Sequence, residues 1–247
     1  MITVGACPVK SLWQRMGTDT SGDAETTEQL PMLMTLIYYC RVRFIQQLLP
    51  LLRASTSLSR VVNVFAGGGC EGAIDVSDFP GRNVPLRKAR GHASSMQTVA
   101  LEHLQLQAPD VSFLHVFPGT VFTPILNHMP GVLGALIHGM MLCIRPFWFL
   151  FGMDIVESGE WQTFLSTCAQ FPSSEGGKDG LPVQEGEDTA KGTNGQHGSG
   201  VYTVNFDGKT AGVGTVRLLE GFRADGTSKA VWEHTTREFE RIGARQL

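Results

Sequence analysis

The chain has 247 residues, of which 42% are hydrophobic and 17% are charged, and its formal net charge is −3. A chain of this size and apolar content can bury one sizeable core, so we expect a single domain over 1–247. The nearly balanced charge excludes the basic surface on which nucleic-acid binding depends. Five scattered cysteines, with no CxxC pair and no His cluster at zinc spacing, predict reduced thiols and no metal site. Since MITVGACPVKSLWQR also lacks the regions of a secretory signal, we expect a cytoplasmic protein.

Hydrophobic periodicity predicts alternating strands and helices along the chain. In chain order it indicates a strand over 1–6, a helix over about 28–53, a strand over 61–65, a helix over 94–107, a strand over 111–117, a strand and turn over 201–208 and a helix over 231–242. Pro50 should kink the long helix or mark its last turn. This alternation predicts an α/β fold with a parallel sheet, in which 61–65 and 111–117 are adjacent or near-adjacent central strands.

The stretch RVVNVFAGGG runs from a predicted strand into three glycines. It fits neither GxGxxG nor GxxxxGK[ST], and the acidic segment behind it does not begin a helix that could face an anion. A strand-to-loop turn is therefore favoured over a phosphate site. In an open α/β sheet, the loops after 61–65 and 111–117 would both lie at the edge where ligands bind.

Four segments resemble the second half of the short-chain dehydrogenase/reductase family, in particular its fungal branch associated with secondary metabolism. They are LMTLIYYCRVRFIQQLLPLL, SRVVNVFAGGG, RGHASSMQTVALEHL and VSFLHVFPGTVFTP. The last segment matches the PG-x-V-x-T cofactor loop of the family at Pro118, Gly119, Val121 and Thr123. The resemblance implies a partial, doubly wound Rossmann-like sheet with its core at about 25–125, and an NAD(P)-dependent oxidoreductase acting on an apolar carbonyl or alcohol.

The chain departs from the family pattern at the cofactor site. No T-G-x-x-x-G-x-G turn precedes the long helix, so the N-terminal dinucleotide-binding part is expected to be missing, and NAD(P) is expected to bind weakly. The catalytic serine of the family falls at Ala66, where no hydroxyl is available.

The catalytic tyrosine of the family is also absent from its expected place. The Tyr-x-x-x-Lys pair falls at Val84 and Lys88, or at Pro85 and Ala89 in an ungapped register. General acid catalysis of the kind that a tyrosine provides is typically worth about 10²- to 10⁴-fold in rate. Lys88 and His92 are then the candidate catalytic residues that could transfer a proton in its place.

Other polar side chains have a structural and a functional interpretation. His92, Ser94 and Ser95 could form a proton-handling cluster, but a serine N-cap of the helix over 94–107 is favoured. His115 lies in an apolar strand, where a core histidine with satisfied hydrogen bonds is expected.

The apolar segment over 131–152 is long enough to span a bilayer, yet Arg145 and His138 make insertion expensive. A lid over an apolar substrate, or a homodimer surface, is favoured over membrane contact. The segment over 173–200 is rich in Gly, Asp and Glu and predicts a mobile surface loop, followed by a C-terminal extension over 201–247.

Three functions remain open at this point. The first is an NAD(P)-dependent oxidoreductase of secondary metabolism, and the second is a cofactor-independent isomerase or cyclase that uses the same pocket. The third is a non-catalytic remnant or a truncated gene model. Loss of the serine and tyrosine counts against the first, and the intact pattern of strands and helices counts against decay of the fold.

Overall fold

The protein, represented by a computed structural model, is an α/β fold built on one parallel sheet. The structure describes residues 2–4, 25–121, 139, 152–176, 180–182 and 188–244. The strands are β1 (Ile2–Val4), β2 (Arg60–Val64), β3 (Ser112–Val116) and β4 (Val201–Val204). All pairs are parallel, and the strand order is β1-β2-β3-β4. The predicted α/β class and the parallel pairing of the two central strands are confirmed.

Helices connect and cover these strands. They are a turn of α-helix at Met32–Met34, a π-helical segment at Thr35–Tyr39, α1 (Cys40–Arg53), α2 (Leu86–Gln107), α3 (Ile155–Thr167), α4 (Val213–Ala224) and α5 (Thr227–Gly243). The first three form the predicted long helix, and Pro50 lies in its last turn as expected. The predicted C-terminal helix is also confirmed, with an earlier start, whereas α3 and α4 were not predicted.

The start of α2 differs from the prediction, because the helix begins at Leu86 and not near residue 94. Pro85 precedes it with φ −55°, a value that the proline ring fixes and that suits a helix start. Gly91 is accommodated inside the helix because Gly72 lies against it: a Cβ at Gly91 would be 3.1 Å from the Gly72 Cα. Ser94 and Ser95 are therefore interior helix residues, and the predicted N-cap is wrong.

Apolar side chains cover both faces of the sheet. On one face Val61, Phe113 and Val201 pack with α1, α2, α4 and α5 in the larger core. On the other face Val62 and Leu114 belong to a second core, which Leu165 and Phe171 from α3 and the loop after it complete. Since successive strand residues point to opposite faces, the neighbouring apolar residues of β2 and β3 supply both cores.

Arg60, the first residue of β2, connects the sheet to α3. Its side chain is fully buried, and its Nη1 donates to the carbonyls of Leu165 (2.9 Å) and Cys168 (2.8 Å). Its Nη2 donates to the carbonyl of Phe171 at 2.7 Å. The carboxyl end of a helix favours a positive charge, so these contacts hold the end of α3 on the second core.

Two predicted segments fall partly or wholly outside the described residues. The predicted lid over 131–152 lies outside them except for Gly139 and Gly152. Of the predicted loop over 173–200, the part at 188–200 is held by contacts; for example, Thr193 is 3% exposed and its carbonyl accepts from Arg223. Within the described ranges no helix is long and apolar enough to cross a membrane.

Candidate functional site

The loops that follow β2, β3 and β4 meet at the carboxyl edge of the sheet. The amide of Ala66, after β2, donates to Nε2 of His115 at 3.2 Å, and the amide of Gly68 donates to the Thr203 hydroxyl of β4. Phe117 and Phe206, from the loops after β3 and β4, form an edge-to-face pair with 6.4 Å between ring centroids. Parallel strands bring their carboxyl ends to one edge, and this is the edge where α/β proteins bind ligands.

The glycines at 67–68 let the loop after β2 lie directly on neighbouring backbone. A Cβ at Gly67 would be 2.0 Å from the carbonyl oxygen of His115, and a Cβ at Gly68 would be 2.3 Å from the amide nitrogen of Asn205. No side chain fits in either place. Close backbone packing thus accounts for these two glycines without a bound phosphate.

A row of buried polar side chains crosses the sheet one position below this loop. Asn63, His115 and Thr203 are paired neighbours on β2, β3 and β4, and each is at most 1% exposed. Buried polar groups need hydrogen-bond partners, and partners for this row come from the loop after β2 and from α1 and α2.

His115 is neutral and serves as a connector within this row. Its Nε2 accepts from the amide of Ala66, so its Nδ1 carries the proton and donates to the Thr98 hydroxyl at 2.8 Å. Burial, assisted by the positive charge of Arg41, lowers the pKa of His115 to about 3. The expectation of a core histidine with satisfied hydrogen bonds is confirmed.

Glu71 ties the loop after β2 to α2 and β4. Its side chain is fully buried, and its carboxylate accepts hydrogen bonds from the hydroxyls of Thr98 (3.1 Å) and Thr203 and from the amide of Gly69 (2.9 Å). The His115 Nδ1 lies 3.9 Å from the same carboxylate. Sequence reasoning did not single out Glu71, although an acidic residue directly behind a glycine-rich strand end was a signal that could have done so.

Ala66, at the expected serine position, is 1% exposed and presents no hydroxyl. Its carbonyl accepts from the Ser94 hydroxyl at 2.5 Å. The Ser95 hydroxyl donates to the carbonyl of Gly72 at 2.6 Å and accepts from the amide of Gly72 at 3.0 Å. These two serines of α2 therefore do not cap the helix as predicted but hold the loop after β2 in position.

Lys88 and His92 line one cleft of about 320 Å³, together with Val84 and Asp75. His92 is buried; its Nδ1 accepts from the amide of Asp75 at 3.1 Å, and its Nε2 donates to the carbonyl of Phe79 at 3.1 Å. Both ring nitrogens are thus engaged in holding the loop against α2. Lys88 is exposed, and its ammonium group has no hydrogen-bond partner in the part of the chain that the structure describes.

The turn after β3 contains Pro118, Gly119 and Val121, while Thr123 lies outside the described residues. Gly119 has φ +81°, and a Cβ there would lie 3.1 Å from the Cβ of Phe206. The carbonyl of Thr120 accepts from the amide of Met153 at 3.1 Å. The amides of residues 119–121, at the sheet edge, have no backbone acceptor among the described residues.

Arg90 bridges the loop after β2 and the turn after β3. Its guanidinium carbon lies 4.8 Å from the centroid of the Phe117 ring, and its Nη2 donates to the sulfur of Cys70 at 3.3 Å. A guanidinium over an aromatic ring is a favourable arrangement. Arg90 was not among the predicted site residues, because nothing in RKARG distinguishes it from its exposed neighbours.

No family model matches the chain. The chain is similar to curated fungal proteins with oxidoreductase names. Oxidoreductase AN1596 of Emericella nidulans is 38% identical over 222 residues, which cover 89% of this chain and 64% of that protein. Oxidoreductase andH of Emericella variicolor is 33% identical over 224 residues, with coverages of 88% and 63%. Short-chain dehydrogenase/reductase SAT2 of Stachybotrys chartarum is 32% identical over 232 residues, with coverages of 91% and 63%.

The matched region covers 63–64% of the length of these relatives, so the chain spans just under two thirds of them. The names of the relatives support an oxidoreductase-like protein that resembles the short-chain dehydrogenase/reductase family.

Proposed function

We propose that the protein is an NAD(P)-dependent oxidoreductase of the short-chain dehydrogenase/reductase type, which acts on an apolar carbonyl or alcohol intermediate of fungal secondary metabolism. The observation that supports this most is the convergence of three strand-end loops at the carboxyl edge of the parallel sheet, where the amides of the turn after β3 have no backbone acceptor among the described residues. The oxidoreductase names of the relatives point to the same class of reaction.

The turn after β3 fits the nicotinamide end of the cofactor. A carboxamide needs hydrogen-bond donors and acceptors, and the amides of residues 119–121 are donors without a backbone acceptor in the described ranges. When bound, the nicotinamide would supply or accept the hydride. Because glycines 67 and 68 are occupied by close packing with neighbouring backbone, they offer nothing to a pyrophosphate, so we expect weak cofactor binding.

Lys88 is the proton donor that this proposal requires. Its ammonium group is exposed in the cleft beside the loop after β2, whereas both ring nitrogens of His92 already bond to backbone. A lysine can pass a proton to a carbonyl oxygen as that oxygen gains negative charge. The aromatic rings of Phe117 and Phe206 at the sheet edge support an apolar substrate.

A second candidate is a cofactor-independent isomerase or cyclase. It is favoured by Ala66, since the strand end beside the proposed site lacks the hydroxyl that polarises a carbonyl in the family. An acid-base reaction through Lys88 would need neither that hydroxyl nor a hydride.

The test is turnover of a panel of apolar aromatic ketones and alcohols by the full chain, with and without NADH or NADPH. We expect oxidation of the reduced nicotinamide in the presence of a ketone, and a fall of about 10²-fold in Lys88→Met. Lys191→Met, which removes another exposed lysine outside the site, is the matched control and should keep the wild-type rate. Conversion without any nicotinamide would favour the isomerase or cyclase, and absence of all conversion would contradict both.

A further inference from the structure

Arg41 brings a positive charge to the carboxyl end of β2 and contacts only neutral acceptors there. Its Nη1 donates to the carbonyl of Val64 at 2.7 Å and to Oδ1 of Asn63 at 3.2 Å. Its Nε donates to the carbonyl of Leu36 at 3.3 Å, and its guanidinium carbon lies 5.7 Å from the centroid of the Phe65 ring. The guanidinium is therefore fixed at the sheet edge that the proposed function uses.

The backbone just before Arg41 is unusual. Residues Thr35–Tyr39 form a π-helical segment, in which the amide of Cys40 donates to the carbonyl of Thr35. Single π-helical turns within α-helices are rare and occur frequently at functional sites. The Nε contact of Arg41 is with the carbonyl of Leu36, inside this segment, so the segment positions the arginine.

The charge of Arg41 is not balanced by any carboxylate of the described residues. The arginines Arg53, Arg82, Arg223 and Arg241 form ion pairs with acidic side chains, and Arg41 does not. Arg60 also lacks a carboxylate, but it contacts two carbonyls at the end of α3, where the helix dipole favours a cation, and a third in the loop after it. Burial lowers the pKa of the Arg41 guanidinium, and its positive charge adds to the burial that lowers the pKa of His115.

Two groups of donors at this position have no acceptor among the described residues. A guanidinium has five N–H donors; three of Arg41 are engaged by the contacts above, and the two on Nη2 have no acceptor among the described residues. Asn63 is 0% exposed and its Nδ2 is likewise without a partner, although its Oδ1 is bound by Arg41. The Asn63 Nδ2 is buried, and a buried donor without an acceptor costs about 1–3 kcal/mol, so an acceptor at this strand end is favoured.

We propose that Arg41, with Nδ2 of Asn63, binds an oxyanion at the carboxyl end of β2, namely a phosphate or carboxylate group of a small molecule. The planar guanidinium fork suits such a group, because it can donate two parallel hydrogen bonds to two oxygens. The inference rests on the proposed function for placing a ligand at this edge. The anionic group can come from two sources, a nicotinamide nucleotide or an acidic substrate.

The test is calorimetric titration of the full chain at low ionic strength with two probes, sodium pyrophosphate and sodium benzoate. We expect at least one probe to bind, and Arg41→Gln to weaken that binding by about 10- to 100-fold through loss of charge-assisted hydrogen bonds. Tighter binding of pyrophosphate would identify the nucleotide as the source, and tighter binding of benzoate would identify an acidic substrate. Arg41→Lys retains the charge without the fork and should fall between the wild type and Arg41→Gln.

Arg53→Gln is the matched control, since it removes the same charge from the other end of α1, where Arg53 pairs with Asp110. It should bind the probes as the wild type does. Ligand-induced shifts of the melting temperature, compared within each variant, keep the test valid if Arg41→Gln is less stable.

The inference is overturned if neither probe binds the wild type, or if Arg41→Gln and Arg53→Gln bind the probes equally well. Nicotinamide-dependent turnover together with anion binding that is independent of Arg41 would overturn this inference and leave the proposed function standing. Binding that depends on Arg41, in a chain that turns over no ketone or alcohol, would support the anion site and contradict the oxidoreductase.

Discussion

Substitution of Gly67 by alanine tests whether the loop after β2 lies directly on β3. The new Cβ would be 2.0 Å from the carbonyl oxygen of His115 and 2.6 Å from its carbonyl carbon, whereas real Cβ atoms essentially never approach within 3.0 Å. The obstacle is strand backbone, which cannot turn aside as a flexible side chain could. The loop must therefore move by roughly 1 Å or more, away from the sheet edge.

The cost follows from the contacts that such a movement breaks. The hydrogen bonds from Ala66 to His115 and from Gly68 to Thr203 both originate next to Gly67. Two hydrogen bonds at about 1 kcal/mol each, together with about 1–3 kcal/mol for overpacking, give about 3–5 kcal/mol of lost unfolding free energy. For a chain of this size we expect the melting temperature to fall by about 10 °C.

Differential scanning calorimetry of the two alanine variants Gly67→Ala and Gly221→Ala measures the effect against a matched control. A Cβ at Gly221, inside α4, would have no neighbouring heavy atom within 4 Å. Alanine is favoured over glycine in a helix by about 1 kcal/mol, so the control should melt about 2–4 °C higher than the wild type. A Gly67→Ala protein that melts within about 2 °C of the wild type would refute the close packing of the loop on β3.

Three further outcomes are expected. The ordinary pKa of histidine is 6.5, and that of His115 in the folded protein is lowered to about 3, so only the unfolded chain binds this proton between those values. The contribution of the neutral His115 ring to the free energy of unfolding is fully present above pH 6.5. It is lost as the pH falls, at about 1.4 kcal/mol per pH unit. In urea titrations, the stability difference between pH 7 and pH 5 should shrink by about 2 kcal/mol in His115→Asn, and an unchanged difference would contradict a neutral, buried ring. Arg60→Met leaves the carbonyls of Leu165 and Cys168 without this donor, while that of Phe171 keeps the Ser112 hydroxyl, and it should cost about 2 kcal/mol or more in urea unfolding, whereas a loss below about 1 kcal/mol would show that the two carbonyls find other partners. Ala66→Ser should restore little or no carbonyl reduction, because catalytic groups that act as a unit are strongly non-additive; a large gain in NADPH oxidation would show that the hydroxyl alone suffices.

Local sequence pattern determined the elements whose side chains repeat with a clear period. β2 and β3 are short apolar runs that end in glycine or Pro-Gly turns, and the helix that ends at Arg53 has a regular apolar stripe. These patterns can be recognised because a helix with one buried face needs an apolar stripe, and a central strand with two buried faces needs a run of apolar residues. α3 was missed because Ile155 and Val156 are exposed and its apolar residues do not form one stripe, and α4 because glycines interrupt its pattern.

The start of α2 shows where local pattern is insufficient. Gly91 and the charged residues before it indicate a loop, yet they are helical because Gly91 packs against Gly72. That contact exists only once the loop after β2 is folded onto α2, so nothing local to residues 86–93 encodes it. The serines predicted as caps consequently bind the loop from inside the helix.

The sequence by itself determined that two loops would meet at the carboxyl edge of a parallel sheet, and it marked Lys88 and the turn after β3 as the residues to examine. The tertiary structure decided which polar side chains meet there. Glu71 and Thr203 are 132 positions apart, and strand register alone makes Asn63 and His115 neighbours. The burial of these groups and the engagement of both nitrogens of His92 depend on such long-range contacts, as does the absence of a counter-ion for Arg41 in the described part of the chain. A hydrogen-bond partner or a counter-ion is a property of the folded neighbourhood and not of the chain around a residue.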